Sequence, residues 1–420
     1  MVSSRLHFAP ALVLQDDRGE CALQELLGLA EQAVQALGDT VRLTLDARSA
    51  RAALVGVIMA QLAPLDIALA REGTVEQYAG LMSRELAPGV PAWIDPEQSD
   101  AQPGLRLFTS GTTGRAKSAV YSLQRLLAGV RHHPHGSQAV WLLSYEPASF
   151  AGLQVLLTAA VNGARLLAPE RSIHALCSAL QSGATHVSAT PSFWRALLAA
   201  LPADPTSTLK VITLGGEACS QPLLDALSQR FPQASVRHIY ASTEAGVGFT
   251  VADGKAGFPA QWLTHPVEGV HLRIHEGELE IRSARGMLGY AGSTTAELDG
   301  WLRTGDLVEL QADRVQFVGR RDSVVNIGGT KVVPEKVEAL LEGVDGVADL
   351  CVIAHPNPIL GHLLVVQVCA REGSDPAVVE AALRARAVEL LPAVARPARY
   401  RFVDSVVLES GKKGRKHVSQ

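Results

Sequence analysis

The segment Leu107-Phe-Thr-Ser-Gly-Thr-Thr-Gly-Arg-Ala-Lys-Ser118 places two glycines, four hydroxyl side chains and a lysine within ten positions. Glycines let backbone amides turn toward an anion, hydroxyls donate hydrogen bonds, and lysine neutralises charge. Such a loop suits a polyphosphate. It is not a Walker A loop, which needs glycine immediately before the lysine; Ala116 stands there. On composition alone, an ordinary Ser/Thr/Gly surface turn explains the segment equally well.

Other segments break that tie. Leu214-Gly-Gly-Glu-Ala218 follows the apolar run Val211–Leu214, as expected for a loop at a strand's C-terminal edge, where open α/β sheets bind ligands. Tyr240-Ala-Ser-Thr-Glu-Ala-Gly246 follows a second such run. It offers an aromatic face for a base, hydroxyls for phosphate and a carboxylate for Mg2+. Trp301-Leu-Arg-Thr-Gly-Asp-Leu307 sets Asp306 beside a glycine turn, suited to accept hydrogen bonds from ribose. Val318-Gly-Arg-Arg-Asp-Ser323 begins a candidate linker, and Val325-Asn-Ile-Gly-Gly-Thr-Lys-Val-Val-Pro-Glu-Lys-Val-Glu338 runs from a glycine turn into a helix. Glu409-Ser-Gly-Lys-Lys-Gly-Arg-Lys416 is a glycine-flanked basic tail.

Taken in this order, the segments resemble the adenylate-forming superfamily: acyl- and aryl-CoA synthetases, adenylation domains of peptide synthetases, and luciferases. The resemblance runs from about Asp46 to the C-terminus, and the Gly328–Glu338 run is most similar to the CoA-ligase branch. It implies ATP- and Mg2+-dependent activation of a small carboxylic acid to an acyl-adenylate. The acyl group would then pass to the thiol of CoA or of a holo carrier protein's phosphopantetheine arm.

Position by position, the resemblance implies the following. Thr109, Ser110, Gly111, Thr112, Thr113, Gly114 and Lys117 would form the loop over the β- and γ-phosphates. Gly216, Glu217 and Ala218, with Tyr240, would hold adenine. Thr243, beside Ser242, would bond the α-phosphate, and Glu244 would bind Mg2+. Asp306 would grip the ribose hydroxyls with help from Arg320, and Asp322 matches a hinge. Lys412 matches the lysine that bridges the acid carboxylate and the α-phosphate, with Lys413 as the alternative. Gly328 and Gly329 would line the passage for the thiol arm. Phe150, Gly152, Gly215 and Gly246 would contribute to the acid pocket.

Several positions depart from the family pattern. Ala116 replaces a usual proline and Ser118 a usual glycine; Lys336 stands where glutamate is common, and Lys413 where an aliphatic residue is usual. The chain before the phosphate loop is also short, so one N-terminal subdomain is expected to be trimmed. Plainer readings compete. Residues 412–416 read alone as a solvated basic tail, although the chain has only eight lysines. His132, His133 and His135 read as a polar loop, and Trp141, Phe193 and Trp194 as core. A catalytically silent nucleotide-binding regulatory protein is the alternative of a different class.

The remaining composition bounds the answer. With 420 residues, 47% apolar, 19% charged and a net charge of −4, the chain is neither disordered nor globally basic enough to select nucleic acid. Five scattered cysteines form no CxxC pair. The first residues lack a signal-peptide pattern, and Gln61, Pro64 and Asp66 interrupt the most apolar stretch, so no membrane span and a cytoplasmic location are expected.

Apolar spacing predicts helices over Leu23–Leu37 and Ala52–Ala70, in a mostly helical first hundred residues. After Pro103, short apolar runs at Ala139–Leu143, Ala164–Leu167, Thr185–Ala189, Val211–Leu214 and Val236–Tyr240 alternate with helical stretches, predicting a mainly parallel sheet. Val270–Ile281 reads as a hairpin. The last hundred residues predict helices over Glu335–Leu341 and Ala377–Leu391, with strands over Leu350–Ala354, Leu363–Ala370 and Tyr400–Leu408. The expected class is α/β: a large multi-layer domain over residues 1–319 and a small mobile α+β domain over 320–420. A trimmed N-terminus should expose apolar surface on the body, which predicts a homodimer.

Overall fold

A computed structural model describes residues 7–78, 83–95, 102–109, 116–201, 208–292, 300–406 and 413. The chain opens with a hairpin, β1 (Val13–Asp16) and β2 (Gly19–Ala22), and then helix α1 (Leu23–Leu37). The Glu25 carboxylate accepts from the Ala22 backbone N–H at 2.8 Å, closing the first turn. Leu23, Leu26, Ala30, Ala33 and Leu37 are buried along one stripe. After β3 (Arg42–Asp46), Ser49 caps α2 (Ala50–Leu62), which is buried on nearly every side. The helix expected over Ala52–Ala70 stops here. Pro64 cannot continue it, and Asp66–Ala70 is instead strand β4, buried at every position. The first hundred residues are therefore mixed rather than helical, with β5 (Ser83–Ala87) and β6 (Val90–Ile94) adding a second hairpin.

The phosphate-loop segment joins β7 (Gly104–Phe108) to β8 (Ser118–Tyr121), followed by the short helix α3 (Leu123–Leu127). Strand and helix then alternate: β9 (Val140–Leu143), α4 (Phe150–Asn162), β10 (Arg165–Leu167), α5 (Ile173–Gln181), β11 (His186–Ala189), α6 (Pro191–Ala200), β12 (Val211–Gly215), α7 (Gln221–Arg230) and β13 (Ser235–Ser242). Ser149, Ser172 and Thr190 cap α4, α5 and α6 through their hydroxyls. All five expected strands lie within these elements. Next come β14 (Gly246–Val251), β15 (Phe258–Pro259), the expected hairpin β16 (His271–His275) and β17 (Glu278–Arg282), β18 (Gly289–Tyr290), β19 (Leu302–Gln311) and β20 (Arg314–Arg320).

The last part holds β21 (Val325–Ile327), β22 (Thr330–Val332), α8 (Pro334–Leu341), β23 (Val347–Asn357), β24 (Gly361–Ala370), α9 (Pro376–Leu390) and β25 (Arg399–Phe402), close to the sequence expectation.

These elements form an eight-stranded sheet ordered β14-β13-β12-β11-β9-β10-β1-β2 and a seven-stranded sheet ordered β18-β8-β7-β4-β3-β6-β5. The first is parallel from β13 to β1, with antiparallel edges. Helix α2 packs on β3 and β4 and meets α4, which packs on β9, β10 and β13, so the largest core lies between the two sheets. Helices α5, α6 and α7 seal the other face of the eight-stranded sheet. A five-stranded sheet, β15-β20-β19-β17-β16, carries an aromatic core of its own. Residues Ile327–Ala395 supply a further, separate core around β23-β24-β25. The fold is thus α/β, with a large N-terminal and a smaller C-terminal domain.

Among the described residues before Pro103, only Val41 is an exposed large hydrophobic residue, at 36%. Burial pushes the Cys21 thiol up to about 11 and the Cys219 thiol up to about 12, so both are protonated at neutral pH.

Candidate active site

The C-terminal ends of β12 and β13 and the β7–β8 turn gather the residues with chemical potential. The turn is pinched at its base, where the Thr109 N–H donates to the Lys117 carbonyl at 2.8 Å. Ser110, Gly111, Thr112, Thr113 and Gly114 lie outside the described residues. The Lys117 ammonium stands 5.2 Å from the centre of the Tyr290 ring, and the Tyr290 hydroxyl donates to the Glu244 carboxylate at 2.8 Å. Burial, followed by this carboxylate, raises the Tyr290 pKa. Glu244, Tyr290 and Lys117 thus form one cluster at the phosphate-loop base.

The turn after β13 is built to present this cluster. The Ser242 hydroxyl accepts from the Ala245 N–H at 3.0 Å, and buried Tyr121 donates to the Thr243 carbonyl at 2.7 Å. Gly246 has φ +72°, and a Cβ there would lie 2.3 Å from the Arg285 carbonyl oxygen, so the position demands glycine.

Asp306 lies within β19, beside Gly305, whose φ of +76° falls where the strand shifts register against β17; from Asp306 to Gln311 the strand pairs with β20, with a further shift after Leu307. Its carboxylate accepts from the Tyr240 hydroxyl and, at 3.1 Å, from the Arg320 guanidinium. Burial raises the Asp306 pKa, against the opposing pull of Tyr240 and Arg320. The Tyr240 ring lies nearly parallel to Phe249 and Phe317, each with its centre 5.3 Å away. Arg320 also donates to Asp322 at 3.3 Å, tying the expected hinge residue to the same group. Gly216 and Ala218 are exposed in the loop after β12.

Glu217 does more than cap a loop. One carboxylate oxygen accepts from the Ser192 N–H and hydroxyl, at 3.0 and 2.6 Å; the other accepts from the Lys413 N–H at 3.2 Å. The Lys413 side chain is buried: its ammonium lies 2.6 Å from Glu338, 2.6 Å from the Leu350 carbonyl and 2.9 Å from Asp349. Burial alone would lower its pKa, but Glu338 and Asp349 outweigh that and raise it. Lys413 therefore occupies a carboxylate-lined socket of the small domain, while Lys412 lies outside the described residues.

Of the pocket candidates, Phe150 is buried at the start of α4 against Tyr121, ring centres 5.7 Å apart. Gly152 serves a close approach: a Cβ there would meet the Glu146 carbonyl at 2.0 Å. The Gly215 carbonyl accepts from Tyr145 at 3.4 Å. Gly328 and Gly329 turn the β21–β22 hairpin, and the Gly328 N–H donates to the Leu360 carbonyl at 2.9 Å, within the small domain.

Sequence reasoning missed three groups. Arg71 pairs with buried Glu146 at 3.0 Å and also donates to the Phe108 carbonyl beneath the phosphate loop. Tyr290 orients Glu244. Buried Arg195 of α6 pairs with Glu342 of the small domain at 2.6 Å. These are contacts between distant segments, and nothing local marks them.

A Gly/Ser/Thr-rich segment between β7 and β8, Lys117 over the Tyr290 ring that bonds Glu244, and Asp306 of the antiparallel sheet bonded to Tyr240 of the parallel one meet in an α/β enzyme with a small C-terminal domain. Comparison with known proteins agrees. Residues 23–294 match the model of the AMP-binding enzyme family and residues 336–413 that of the AMP-binding enzyme C-terminal domain. The chain belongs to the AMP-binding enzyme family. It is 29% identical over 331 residues to a probable 2-succinylbenzoate–CoA ligase of Mycobacterium tuberculosis, covering 73% of this chain and 81% of that one. It is 27% identical over 348 residues to the fatty acid–[acyl-carrier-protein] ligase ScoC of Streptomyces coeruleorubidus, covering 74% and 66%. The fold matches E. coli MenE with bound OSB-AMS at a TM-score of 0.71 and 20% identity, over 94% of this chain and 93% of that one.

Proposed function

We propose that this chain activates a small carboxylic acid with ATP, releasing pyrophosphate, and passes the acyl group of the resulting acyl-adenylate to a thiol, releasing AMP. The observation that carries this reading is the Lys413 backbone bond to Glu217. It ties Lys413, the sequence neighbour of Lys412, to the loop after β12, which pairs with the strand that carries Tyr240.

In this reading Asp306 and Arg320 hold the ribose, Gly216, Glu217, Ala218 and Tyr240 border the base, and Thr243 with Ser242 meets the α-phosphate. The loop from Thr109 to Lys117 covers the outer phosphates. Lys412 neutralises charge on the carboxylate and α-phosphoryl oxygens as they approach each other, which is the costly part of the reaction. Glu244 fits Mg2+: a single carboxylate oriented by Tyr290 suits an ion held mostly by phosphate and water oxygens, and no cluster of three or more metal-ligating residues occurs among the described residues. When bound, the ion neutralises phosphate charge. Asp322, at the junction of residues 1–319 and 320–420, is the pivot about which Gly328 and Gly329 would replace Lys412 at the site for the thiol step.

CoA is the preferred acceptor on the Gly328–Glu338 pattern, with a holo carrier protein the second reading. Both relatives described above are thiol-linked ligases by name. Incubation with ATP, Mg2+, an accepted acid and either acceptor, read by intact mass, tests this. The expected product is an acyl thioester on CoA with stoichiometric AMP; a thioester only on the carrier protein selects the second reading, and neither product rejects both.

A further inference from the structure

The sheet face toward α4 is not sealed over its central strands. Ala241, Tyr145, Trp141 and Val247 pack on the core that contains α4, whereas Val236 and Val140 pack on the opposite core. Side chains alternate along a strand, so Arg237 and Ile239 share the α4 side with Ala241. Register places Arg237 beside Thr213 and Thr213 beside Ser188. Central strands of a parallel sheet ordinarily carry apolar side chains on both faces. Here a row of Ser188, Thr213 and Arg237 lies below Tyr145 and Gly215, with Ser188 and Arg237 only half-buried. Across from it, Ala151, Gln154 and Thr158 form a half-buried stripe on α4. Polar, half-buried side chains thus face one another between α4 and the sheet below Gly215.

Arg237 lacks an anion in that polar row. Its Nε donates weakly to the Thr213 hydroxyl at 3.4 Å, and among the described residues no carboxylate pairs with it. The nearby Arg131 is committed to Glu268 at 2.6 Å. Burial and the positive charge of Arg131 both disfavour the Arg237 cation. A guanidinium does not shed its proton at neutral pH, so this cost stands until an anion enters.

We infer that Arg237 receives a second, distal carboxylate of the acid substrate, making a dicarboxylic acid the preferred class. This rests on the adenylation reading. Ile239 lies level with Gly215, and the two-residue step from it to Arg237 is roughly 7 Å along the strand, the scale on which a second carboxylate would lie from the reacting one.

The test is pyrophosphate exchange into ATP with about four- to eight-carbon α,ω-dicarboxylic acids and their half-esters, which keep the length but lose the second charge. The intact enzyme should favour the diacid by about 10- to 100-fold in kcat/KM, the scale of a charge-assisted pairing. Arg237→Met should collapse that ratio to near unity, and Arg237→Lys should keep part of it. Equal kcat/KM for diacid and half-ester in the intact enzyme overturns the inference, as does a ratio that survives Arg237→Met. Should Arg237→Met fail to fold, Thr213→Val reads the same contact: a diacid-to-half-ester ratio lowered in that variant supports the inference, and an unchanged one counts against it. Exchange with monocarboxylic acids but no diacid preference defeats this inference alone. No exchange with any acid defeats the adenylation reading as well.

Discussion

The Lys413 ammonium lies 2.6 Å from the Glu338 carboxylate in a buried socket, while the Lys413 backbone N–H reaches the Glu217 carboxylate of the large domain at 3.2 Å. One residue is thereby fastened to both domains. A bridging catalytic lysine needs a free, mobile ammonium, and that of Lys413 is already spent on Glu338 and Asp349. Between the two neighbouring lysines, Lys413 reads as the anchor, leaving Lys412 as the candidate for the active ammonium.

Truncating the anchor removes the ammonium nearest to Glu338 and Asp349 in a buried socket, a change that is strongly unfavourable. Lys413→Ala is expected to lower pyrophosphate exchange by about tenfold or more. Thioester formation from supplied acyl-adenylate should be affected much less. Equal loss of both half-reactions would mean that Lys413 supports the fold generally.

Lys412→Ala is expected to abolish adenylation while sparing much of the thiol step from supplied adenylate. Near-normal adenylation by that variant would reject the assignment of Lys412.

Tyr290 donates to Glu244 and so fixes the carboxylate's orientation. Tyr290→Phe is expected to raise the Mg2+ concentration needed for half-maximal exchange by about 3- to 30-fold, the scale of one hydrogen bond to a charged group, with saturating rates less changed. An unaltered Mg2+ dependence would remove Tyr290 from this role.

His186 packs on Trp141, ring centres 5.0 Å apart, and burial followed by Arg237 lowers its pKa to about 4. The unfolded chain protonates this histidine near pH 6.5, so it binds the proton that the folded state refuses. Stability should therefore fall as pH drops from about 6.5 to 4 and then level off with respect to this group. Urea midpoints across that range check it; a His186→Phe variant with an unchanged pH slope would contradict it.

Gly246 combines φ +72° with an Arg285 carbonyl 2.3 Å from a would-be Cβ. Gly246→Ala should cost about 2–3 kcal/mol in denaturant unfolding, since strain and a backbone clash add. A cost below about 0.5 kcal/mol, typical of a surface change, would show that the turn relaxes freely.

What could be read from sequence divides along physical lines. The parallel strands from Val140 to Ser242 were legible because strands of that kind are short apolar runs between capped helices. Asp66–Ala70 was not, because a strand buried on both faces has the same texture as a buried helix, and Pro64 was the only local break. In the site, the residues proposed to contact a ligand sit in compact motifs and could be named from sequence. Residues that hold those motifs do not: Arg195 and Glu342 are 147 positions apart, and Arg71 and Glu146 are 75. Lys413 was visible as an unusual lysine, but its socket was visible only in the fold.

The most direct measurement is exchange of labelled pyrophosphate into ATP across a panel of aliphatic, aromatic, dicarboxylic and amino acids. Acid-dependent exchange that requires Mg2+ and disappears in Lys412→Ala is the predicted result. No exchange with any acid, alongside intact ATP binding, would contradict the account and identify a nucleotide-binding protein that does not adenylate.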